Sequence, residues 1–223
     1  MTLCVVIVLG GEQPDQRVQA YVPNDAWVIA ADAGVDHAVA LGLTVDLAIG
    51  DMDSVSLVGL AHLQQERIPT ERHRPDKDAS DGELALHAAM RLQPDRIVLI
   101  CGGGNDRLDH LLITMAMLTS PDLTGAQVEA WVGAAHVRVL RDDEAVQWAG
   151  SSGQTVTLLA VNGPAIGVST VGLLFALDDE SLQPWSSRGL SNESLDGPAE
   201  VSLRRGLLLV VRPNAAADLP NIE

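Results

Sequence analysis

Continuous apolar runs alternate with helical patterns in the first half of the chain. The runs 3–9, 27–31 and 97–101 are apolar throughout, and 45–49 is apolar apart from Asp46; each is followed closely by glycine or aspartate. The helical spacing of apolar residues predicts helices at 33–41, 82–92 and 108–118. Ser80 and Glu83 match a capping box at the start of the second helix. Strands that are apolar on both faces are typical of a parallel sheet covered by helices. The pattern therefore predicts an α/β domain.

The second half has a different pattern, with short apolar segments separated by turn residues. Strands are predicted at 128–132, 135–140, 145–149, 155–161, 172–177, 201–204 and 207–211. This spacing, with little helical periodicity, favours an all-β sandwich or incomplete barrel. The segment 120–125, Ser-Pro-Asp-Leu-Thr-Gly, marks the change. We therefore predict an α/β domain at 1–122 and a β domain at 123–223.

Composition and charge exclude several classes of protein. The formal net charge of −16 and the sequence pI near 4.5 argue against non-specific binding to nucleic acid, which requires Lys and Arg to neutralise phosphates. The only lysine, Lys77, is not preceded by the glycines of a P-loop. No apolar run is long enough to cross a membrane, and the N-terminus resembles a strand more than a signal peptide. We therefore expect a cytoplasmic protein without membrane or nucleic-acid partners.

Aspartates collect at the predicted ends of strands. Asp32 follows one strand, and Asp51 and Asp53 follow the next. The glycine run 102–104 follows another strand, and the loop before the helix at 82–92 carries Asp76, Asp78 and Asp81. Because an open parallel sheet binds ligands at the carboxyl ends of its strands, these segments are predicted to face one space.

The grouped aspartates predict a magnesium site. Any one of them could simply cap a helix or shape a turn. As a set they repel each other, and a bound cation relieves this repulsion. Mg²⁺ is usually held by carboxylates together with substrate phosphates, whereas zinc favours cysteine and histidine. We therefore predict Mg²⁺ and a phosphorylated co-substrate.

The glycine run and the residues after it predict a phosphate site. Backbone N–H groups of Gly102, Gly103 and Gly104, followed by a helix N-terminus, suit phosphate binding, although glycines also form plain turns. Arg107 adds a cation for the charge that develops on a transferred group. His110, at the start of the helix, is interpreted as structural more readily than as catalytic. The first half therefore predicts an enzyme that transfers a phosphorus group from ATP.

The acidic and glycine-rich segments resemble motifs of the thiamine pyrophosphokinase family. The family's D-G-G and G-x-x-P-D-x-x-x-G-D-F-D-S are similar to D-A-G at 32–34 and G-L-T-V-D-L-A-I-G-D-M-D-S at 42–54. Its D-x-D-x-T-D resembles D-K-D-A-S-D at 76–81, where Ser80 replaces threonine, and its G-x-x-G-G-R-x-D-H resembles G-G-G-N-D-R-L-D-H at 102–110. The matches occur in the family's order.

The second half carries two further resemblances to the same family. The segment V-S-T-V-G-L-L-F-A-L at 168–177 resembles T-T-x-G-L-K-W-x-L, and S-N at 191–192 matches a later S-N. Leu174 and Phe175 replace the lysine and tryptophan of that motif. Phe175 is the only phenylalanine in the chain, so it alone retains an aromatic ring at this place.

The resemblance implies a reaction, an assembly and site residues. The reaction moves a diphosphate from ATP to the hydroxyethyl oxygen of thiamine, giving thiamine diphosphate and AMP. The assembly is a homodimer whose active sites lie between the α/β domain of one subunit and the β domain of the other.

The resemblance also implies site residues by position. The metal residues are Asp51, Asp53, Asp76, Asp78 and Asp81. The catalytic residues are Asp53, Asp78, Asp81 and Arg107. The nucleotide-binding residues are Asp32, Ser54, Gly102, Gly103, Gly104, Arg107 and Asp109. The thiamine-side residues are Ser169, Thr170, Phe175, Ser191 and Asn192.

Three alternatives remain open from the sequence. A diphosphokinase for another alcohol, such as a hydroxymethylpterin, would need the same acidic loops and a different acceptor pocket. A regulatory protein that binds thiamine or nucleotide without turnover would be expected to lack one of the loop aspartates or Arg107, and this chain has them all. An α/β protein whose aspartates only cap and turn would not bind ATP in a Mg²⁺-dependent way.

Overall fold

A computed structural model describes residues 2–74, 76, 78–104 and 107–220. Lys77, Asn105 and Asp106, which belong to the motifs above, lie outside these residues. Contacts divide the chain into two compact units, one running to Ala134 and including the segment from Ala216, the other Ala135–Ala215. The boundary predicted at residues 122 and 123 differs from this division. Within the described ranges, no helix is both long and apolar enough to cross a bilayer, and the cytoplasmic location stays a prediction.

The N-terminal unit alternates strands and helices, as the sequence pattern predicted. Its strands are β1 (Cys4–Val8), β2 (Trp27–Ala31), β3 (Leu47–Gly50), β4 (Thr70–Arg72), β5 (Arg96–Cys101) and β6 (Gln127–Val132). Its helices are α1 (Gly34–Ala40), α2 (Leu57–Gln65), α3 (Asp81–Arg91) and α4 (Leu108–Leu118). Short 3-10 turns occur at Gln16–Tyr21 and Pro121–Leu123, and a third lies at Ala215–Asp218.

The strands of this unit form a parallel sheet in the order β6-β5-β1-β2-β3-β4. Every residue of β1 is buried, which explains its uninterrupted apolar sequence. The chain proceeds outward from β1 to β4 and then returns through α3 to β5, on the other side of β1. The order of the strands therefore reverses between β1 and β5, which is where open α/β sheets bind ligands.

A buried ion pair joins β5 and β6 of the same sheet. Glu129 in β6 accepts a hydrogen bond from the hydroxyl of Tyr21 at 2.6 Å and pairs with the guanidinium of Arg96. The guanidinium also lies 4.9 Å from the centre of the Tyr21 ring, which meets Trp131 edge to face. Burial, reinforced by the Glu129 carboxylate, raises the pKa of Tyr21. Glu129 thus joins β5, β6 and the turn at Gln16–Tyr21.

Replacing this buried carboxylate is expected to destabilise the fold. Glu129→Ala leaves the Arg96 charge without its buried partner, so the free energy of unfolding should fall by about 3–5 kcal/mol in urea titrations. Glu180→Ala is the matched control, because Glu180 pairs with Arg188 on the surface, where 52% and 38% of the arginine and glutamate side chains are exposed. The control should lose no more than about 1 kcal/mol. Equal losses would contradict a structural role for the buried pair.

The C-terminal unit is built entirely from antiparallel strand pairs. Its strands are β7 (Ala135–Leu140), β8 (Ala145–Gly150), β9 (Thr155–Ala160), β10 (Ala165–Val171), β11 (Glu180–Leu182), β12 (Asn192–Glu193), β13 (Gly197–Ser202) and β14 (Leu208–Arg212). They pair in the orders β12-β9-β14-β7 and β11-β10-β13-β8. Buried side chains of both sheets, such as Leu158, Val168, Val201 and Val210, form one core. The predicted fold class, α/β followed by β, is confirmed.

Two strand predictions were wrong in instructive ways. Residues 128–132 do form a strand, but the prediction assigned it to the β half, whereas this strand, β6, pairs parallel with β5 and belongs to the N-terminal unit. Residues 172–177 were predicted as a strand, but they form a bent loop with only an isolated bridge at Leu173. Gly172 has a φ of +69°, which interrupts extended backbone at the start of this segment.

The sequence pattern did not predict helix α2 or the strands β4, β10, β11 and β12. Helix α2 has a weak apolar stripe because Leu57 and Val58 at its start are exposed. Strand β4 is short and polar, as an edge strand can be. Strand β10 contains Gly167 at a register shift against β11, which breaks the alternation of buried and exposed positions.

Candidate active site

Three aspartates converge at the carboxyl ends of neighbouring strands. Asp32 follows β2, while Asp51 and Asp53 follow β3, which pairs with β2. Each offers one carboxylate oxygen, and these oxygens all lie within 4.8 Å of one another. The backbone N–H of Asp53 donates to Asp51 Oδ1 at 3.1 Å, so the turn between these two residues also orients the Asp51 carboxylate. The convergence predicted for these strand ends is present in the structure.

Asp32 is partly buried and close to other carboxylates. Its Oδ2 accepts a hydrogen bond from the hydroxyl of Ser54, whereas its buried Oδ1 has no hydrogen-bond partner among the described residues. Burial raises the pKa of Asp32 and the Ser54 hydrogen bond opposes this, while the charges of Asp81, Asp51 and Asp53 raise it further. A metal ion would satisfy the orphaned oxygen and offset the repulsion.

Asp81 approaches the same group from the start of α3. The hydroxyl of Ser80 caps this helix by accepting a hydrogen bond from the backbone N–H of Glu83 at 3.2 Å, as the capping box predicted. An added Cβ on Gly50 would lie 2.9 Å from Asp81 Oδ1 and 3.2 Å from the Cβ of Asp32. Gly50, with a φ of +141°, therefore allows the carboxylates of Asp81 and Asp32 to lie close together.

Asp76 and Asp78 are placed differently from the other predicted metal residues. Both are exposed, and neither belongs to the group of three converging carboxylates in the described part of the chain. Asp76 makes a two-pronged contact with Arg74, Nε to Oδ1 at 3.0 Å and a second guanidinium nitrogen to Oδ2 at 3.1 Å. The structure therefore brings together Asp32, Asp51 and Asp53, with Asp81 beside them.

A cleft of about 480 Å³ opens beside these carboxylates, where the order of strands reverses. Its walls come from the segments after β1, β2, β3 and β5, from the start of α3 and from one side of α4 as far as Met117. The polar or glycine residues that line it include Gly10, Gly11, Glu12, Asp32, Ser54, Ser80, Asp81, Gly102, Gly104, Arg107, His110 and Thr114. The size and the mixed lining suit a small organic ligand with charged groups.

Gly102 is required by the packing of the cleft wall. An added Cβ at this position would lie 2.3 Å from the backbone oxygen of Glu12 and 2.5 Å from the Glu12 Cβ. The loops after β1 and β5 therefore meet with room only for hydrogen. Gly104 has a φ of +78°, which glycine adopts readily, and all three predicted glycines lie directly after β5.

Arg107 and Asp109 form a two-pronged ion pair at the start of α4. The guanidinium donates to both carboxylate oxygens, from Nε at 2.9 Å and from a terminal nitrogen at 2.7 Å. These hydrogen bonds from Arg107 hold the pKa of Asp109 far below its usual range. Arg107 lines the cleft, and Asp109 orients its guanidinium there.

The thiamine-side residues predicted in the C-terminal unit shape one loop. Thr170 Oγ1 accepts a hydrogen bond from the backbone N–H of Leu177 at 2.8 Å. Ser169 Oγ accepts from the backbone of Asp179 at 2.9 Å. These two side chains therefore close the base of the loop 172–177 by binding its backbone.

Asn192 holds the tip of this loop. Its Oδ1 accepts a hydrogen bond from the Phe175 N–H at 2.9 Å, and its Nδ2 donates to the Phe175 carbonyl at 2.7 Å. The neighbouring Ser191 has a φ of +55°, and its N–H donates to Thr157 Oγ1 at 3.1 Å. The buried Asn192 thus fixes the backbone of Phe175, whose side chain is 57% exposed.

One carboxylate of the converging group was predicted to bind nucleotide and was not among the predicted metal residues. This residue, Asp32, lies beside Asp51 and Asp53 in the structure and also lines the cleft. The signal was available in principle, because Asp32 also follows a strand, but the adjacency of β2 and β3 is a property of the assembled sheet. Asp36, one helical turn later, was not considered at all, and it contacts the loop that carries Asp53 and Ser54.

Together these features define an α/β ligand-binding unit, with a carboxylate-lined cleft at the switch point of its sheet, followed by an antiparallel β unit. Known families match both units. A family model described as thiamin pyrophosphokinase, catalytic domain, matches residues 18–130, and one described as thiamin pyrophosphokinase, vitamin B1 binding domain, matches residues 140–208. The chain belongs to the thiamine pyrophosphokinase family, which confirms the resemblance seen in its motifs.

Individual relatives agree with this assignment. The thiamine pyrophosphokinase of Bacillus subtilis (strain 168) is 22% identical over 209 residues, covering 92% of this chain and 96% of the relative. A crystal structure of the Bacillus subtilis protein is similar with a TM-score of 0.81 at 20% identity, covering 94% of this chain and 98% of that one. The thiamin pyrophosphokinase of Candida albicans has a TM-score of 0.74 at 13% identity, covering 95% and 89%. At these identities the structures establish the common fold.

Proposed function

We propose that the protein is a magnesium-dependent thiamine diphosphokinase that transfers diphosphate from ATP to the hydroxyl of thiamine, releasing AMP. The observation that carries this proposal is the group formed by Asp32, Asp51 and Asp53 at the edge of a glycine-walled cleft. Membership of the family supports the choice of ATP and thiamine. Such a reaction depends mainly on positioning and charge neutralisation.

The donor set fits magnesium by its chemistry. Carboxylate oxygens are hard ligands, and the orphaned oxygen of Asp32 lacks the partner that a cation would supply. Asp51 and Asp53 would hold the ion with Asp32 and Asp81 beside them, and Asp76 and Asp78 belong to the same proposed site through the family motif. Bound Mg²⁺ would neutralise negative charge on the phosphates.

The cleft residues have separate roles in the proposed transfer. Backbone N–H groups of the 102–104 turn and the N-terminus of α4 bind phosphate oxygens. Arg107 neutralises charge as the oxygen of thiamine attacks the β-phosphorus in line and AMP leaves. The proton of the hydroxyl passes to Asp53 or Asp81, which lie on the two acidic loops.

The thiamine side of the proposal rests on Phe175 and the residues that hold its loop. Its exposed ring offers an apolar face to an aromatic heterocycle. Thr170 and Asn192 keep this ring in place by binding the loop's backbone, and Ser169 and Ser191 support the same loop and its neighbour.

The decisive experiment supplies the protein with Mg²⁺, ATP and thiamine and analyses the products. Formation of AMP and thiamine diphosphate in equal amounts is the expected result. A hydroxymethylpterin offered in place of thiamine tests the acceptor, since the acidic loops alone do not select it. ATP binding without AMP release would instead indicate a regulatory protein and refute the proposed activity.

We also propose a homodimer, supported by an apolar face of α4. Leu108 and Leu112 lie four residues apart on this helix and are 64% and 61% exposed, and the next residue, Ile113, is 52% exposed. Light scattering after gel filtration should therefore give twice the chain mass of 23.6 kDa. Leu112→Glu should shift the protein toward monomer, whereas His87→Glu on the exposed surface of α3 should not. A monomeric mass for the unaltered protein at every concentration would refute the dimer.

A further inference from the structure

Asp36 connects helix α1 to the end of the aspartate loop. It lies in the first turn of α1, four residues after Asp32, and its carboxylate receives two hydrogen bonds from Ser56. The backbone N–H of Ser56 donates to Asp36 Oδ2 at 2.9 Å, and its hydroxyl donates to Oδ1. Neither residue is part of the carboxylate group that converges at the cleft.

Ser56 in turn begins helix α2. Its hydroxyl oxygen accepts a hydrogen bond from the backbone N–H of Gly59 at 3.0 Å, so the same hydroxyl both caps α2 and binds Asp36. An added Cβ on Gly59 would lie 2.5 Å from Asp36 Oδ1, which shows how closely the carboxylate fits against the first turn of α2. Asp36 therefore fixes the start of α2 relative to α1.

Two aspartate–serine contacts therefore connect the start of α1 with the segment after Asp53. Asp32 accepts a hydrogen bond from Ser54, and Asp36 accepts hydrogen bonds from Ser56. Asp32 lies just before α1 and Asp36 lies in its first turn, while the two serines are two residues apart in the segment that follows Asp53. The loop that carries Asp51 and Asp53 is thus anchored at its end by a residue outside the cleft.

We propose that Asp36 is a positioning residue that sets the geometry of the Asp51–Asp53 loop for metal binding. The inference rests on the proposed magnesium site and extends it to a residue that acts only through Ser56. Without the Asp36 carboxylate, the Ser56 N–H and hydroxyl lose their partner, and the loop gains freedom between β3 and α2. The carboxylates of Asp51 and Asp53 then spend less time at the spacing that a cation requires.

The test compares Asp36→Ala and Asp36→Asn with the unaltered enzyme. Asp36→Ala should raise the Mg²⁺ concentration for half-maximal AMP release by about 10-fold to 100-fold, as loss of residues that orient metal ligands does. Saturating Mg²⁺ should restore most of kcat, because no group that touches substrate has been removed. Asp36→Asn keeps an oxygen for one of the two hydrogen bonds, so its half-maximal Mg²⁺ concentration should lie between those of the unaltered enzyme and Asp36→Ala. Equilibrium binding of Mn²⁺, measured by electron paramagnetic resonance without ATP, should weaken in the same order.

Asp95→Ala provides the matched control. Asp95 accepts a hydrogen bond from the backbone N–H of Leu3 at 2.7 Å, at the amino ends of β1 and β5, whereas the cleft lies at their carboxyl ends. Its loss should lower the melting temperature and leave Mg²⁺ dependence and Mn²⁺ affinity unchanged. If Asp36→Ala matches Asp95→Ala in both metal measurements, the positioning role is refuted. An unaltered protein that binds Mn²⁺ without turnover would refute the proposed activity alone, whereas one that binds no Mn²⁺ would overturn the positioning role too.

Discussion

Asp53→Asn is expected to lower kcat for AMP release by at least about 100-fold, with little loss of stability. The change removes one of the three carboxylates whose oxygens converge within 4.8 Å, and the amide that replaces it carries no charge for a cation. Loss of a group that stabilises developing charge commonly costs on the order of 100-fold to 1,000-fold in kcat. Because Asp53 is exposed and the substitution preserves its shape, the fold should tolerate the change.

This prediction is checked by steady-state kinetics across a wide range of Mg²⁺ concentration. Asp122→Asn serves as the control, since Asp122 is an exposed aspartate of the same unit at the turn Pro121–Leu123, outside the cleft lining. The control should retain normal turnover. Near-normal turnover of Asp53→Asn at saturating Mg²⁺, with an unchanged circular dichroism spectrum, would show that the metal assignment for this loop is wrong.

The sheet of the N-terminal unit was predictable because burial leaves a simple trace in the sequence. Strands such as β1 and β5 pass through the centre of the sheet, so neither face admits polar side chains. The same rule placed Asp32 and Asp51 at strand ends. It did not place them beside each other, because the pairing of β2 with β3 is decided by the packing of the whole sheet.

Strand β6 shows where the sequence pattern ceased to be informative. The strands that follow it in sequence belong to the antiparallel unit, and its length is typical of both classes of sheet. The residues that reveal its place are Glu129 and Trp131, which are buried and contact Tyr21 near the start of the chain, and Glu129 also pairs with Arg96 of β5. Such long-range partners leave no local periodicity, so the boundary between the two patterns was predicted too early.

The loop 172–177 shows the same limit at the candidate site. Its apolar residues suggested a strand, yet its backbone binds the side chains of Thr170 and Asn192 as well as backbone groups of Thr170, Glu193 and Leu195. A side chain that substitutes for a strand partner can be recognised only once the segments at 170 and 192 are adjacent in space. The family motifs directed attention to these residues, and the structure shows which groups most of them bind within the loop.

The hydrogen bonds between Asn192 and the backbone of Phe175 lead to a prediction for these two residues. Phe175→Ala removes the exposed ring and is expected to raise the KM for thiamine by about 10-fold to 100-fold, because stacking on an aromatic face is worth about 1–3 kcal/mol. Asn192→Ala should have a similar effect, since it removes the hydrogen bonds that hold the Phe175 backbone at 2.9 Å and 2.7 Å. The KM for ATP should change little in either variant.

The double variant distinguishes a positioning role for Asn192 from direct contact with thiamine. If Asn192 acts through Phe175, combining the two changes should raise the KM for thiamine no further than the larger single effect, because the ring that Asn192 positions is already absent. Multiplying effects would indicate that Asn192 binds thiamine itself. Gln147→Ala, which removes an exposed side-chain hydrogen bond to Glu200 in the same unit, should leave both KM values unchanged.

Asn192→Asp adds a finer test. Its carboxylate retains the acceptor for the Phe175 N–H and loses the donor to the Phe175 carbonyl. Its KM for thiamine should therefore lie between those of the unaltered protein and Asn192→Ala.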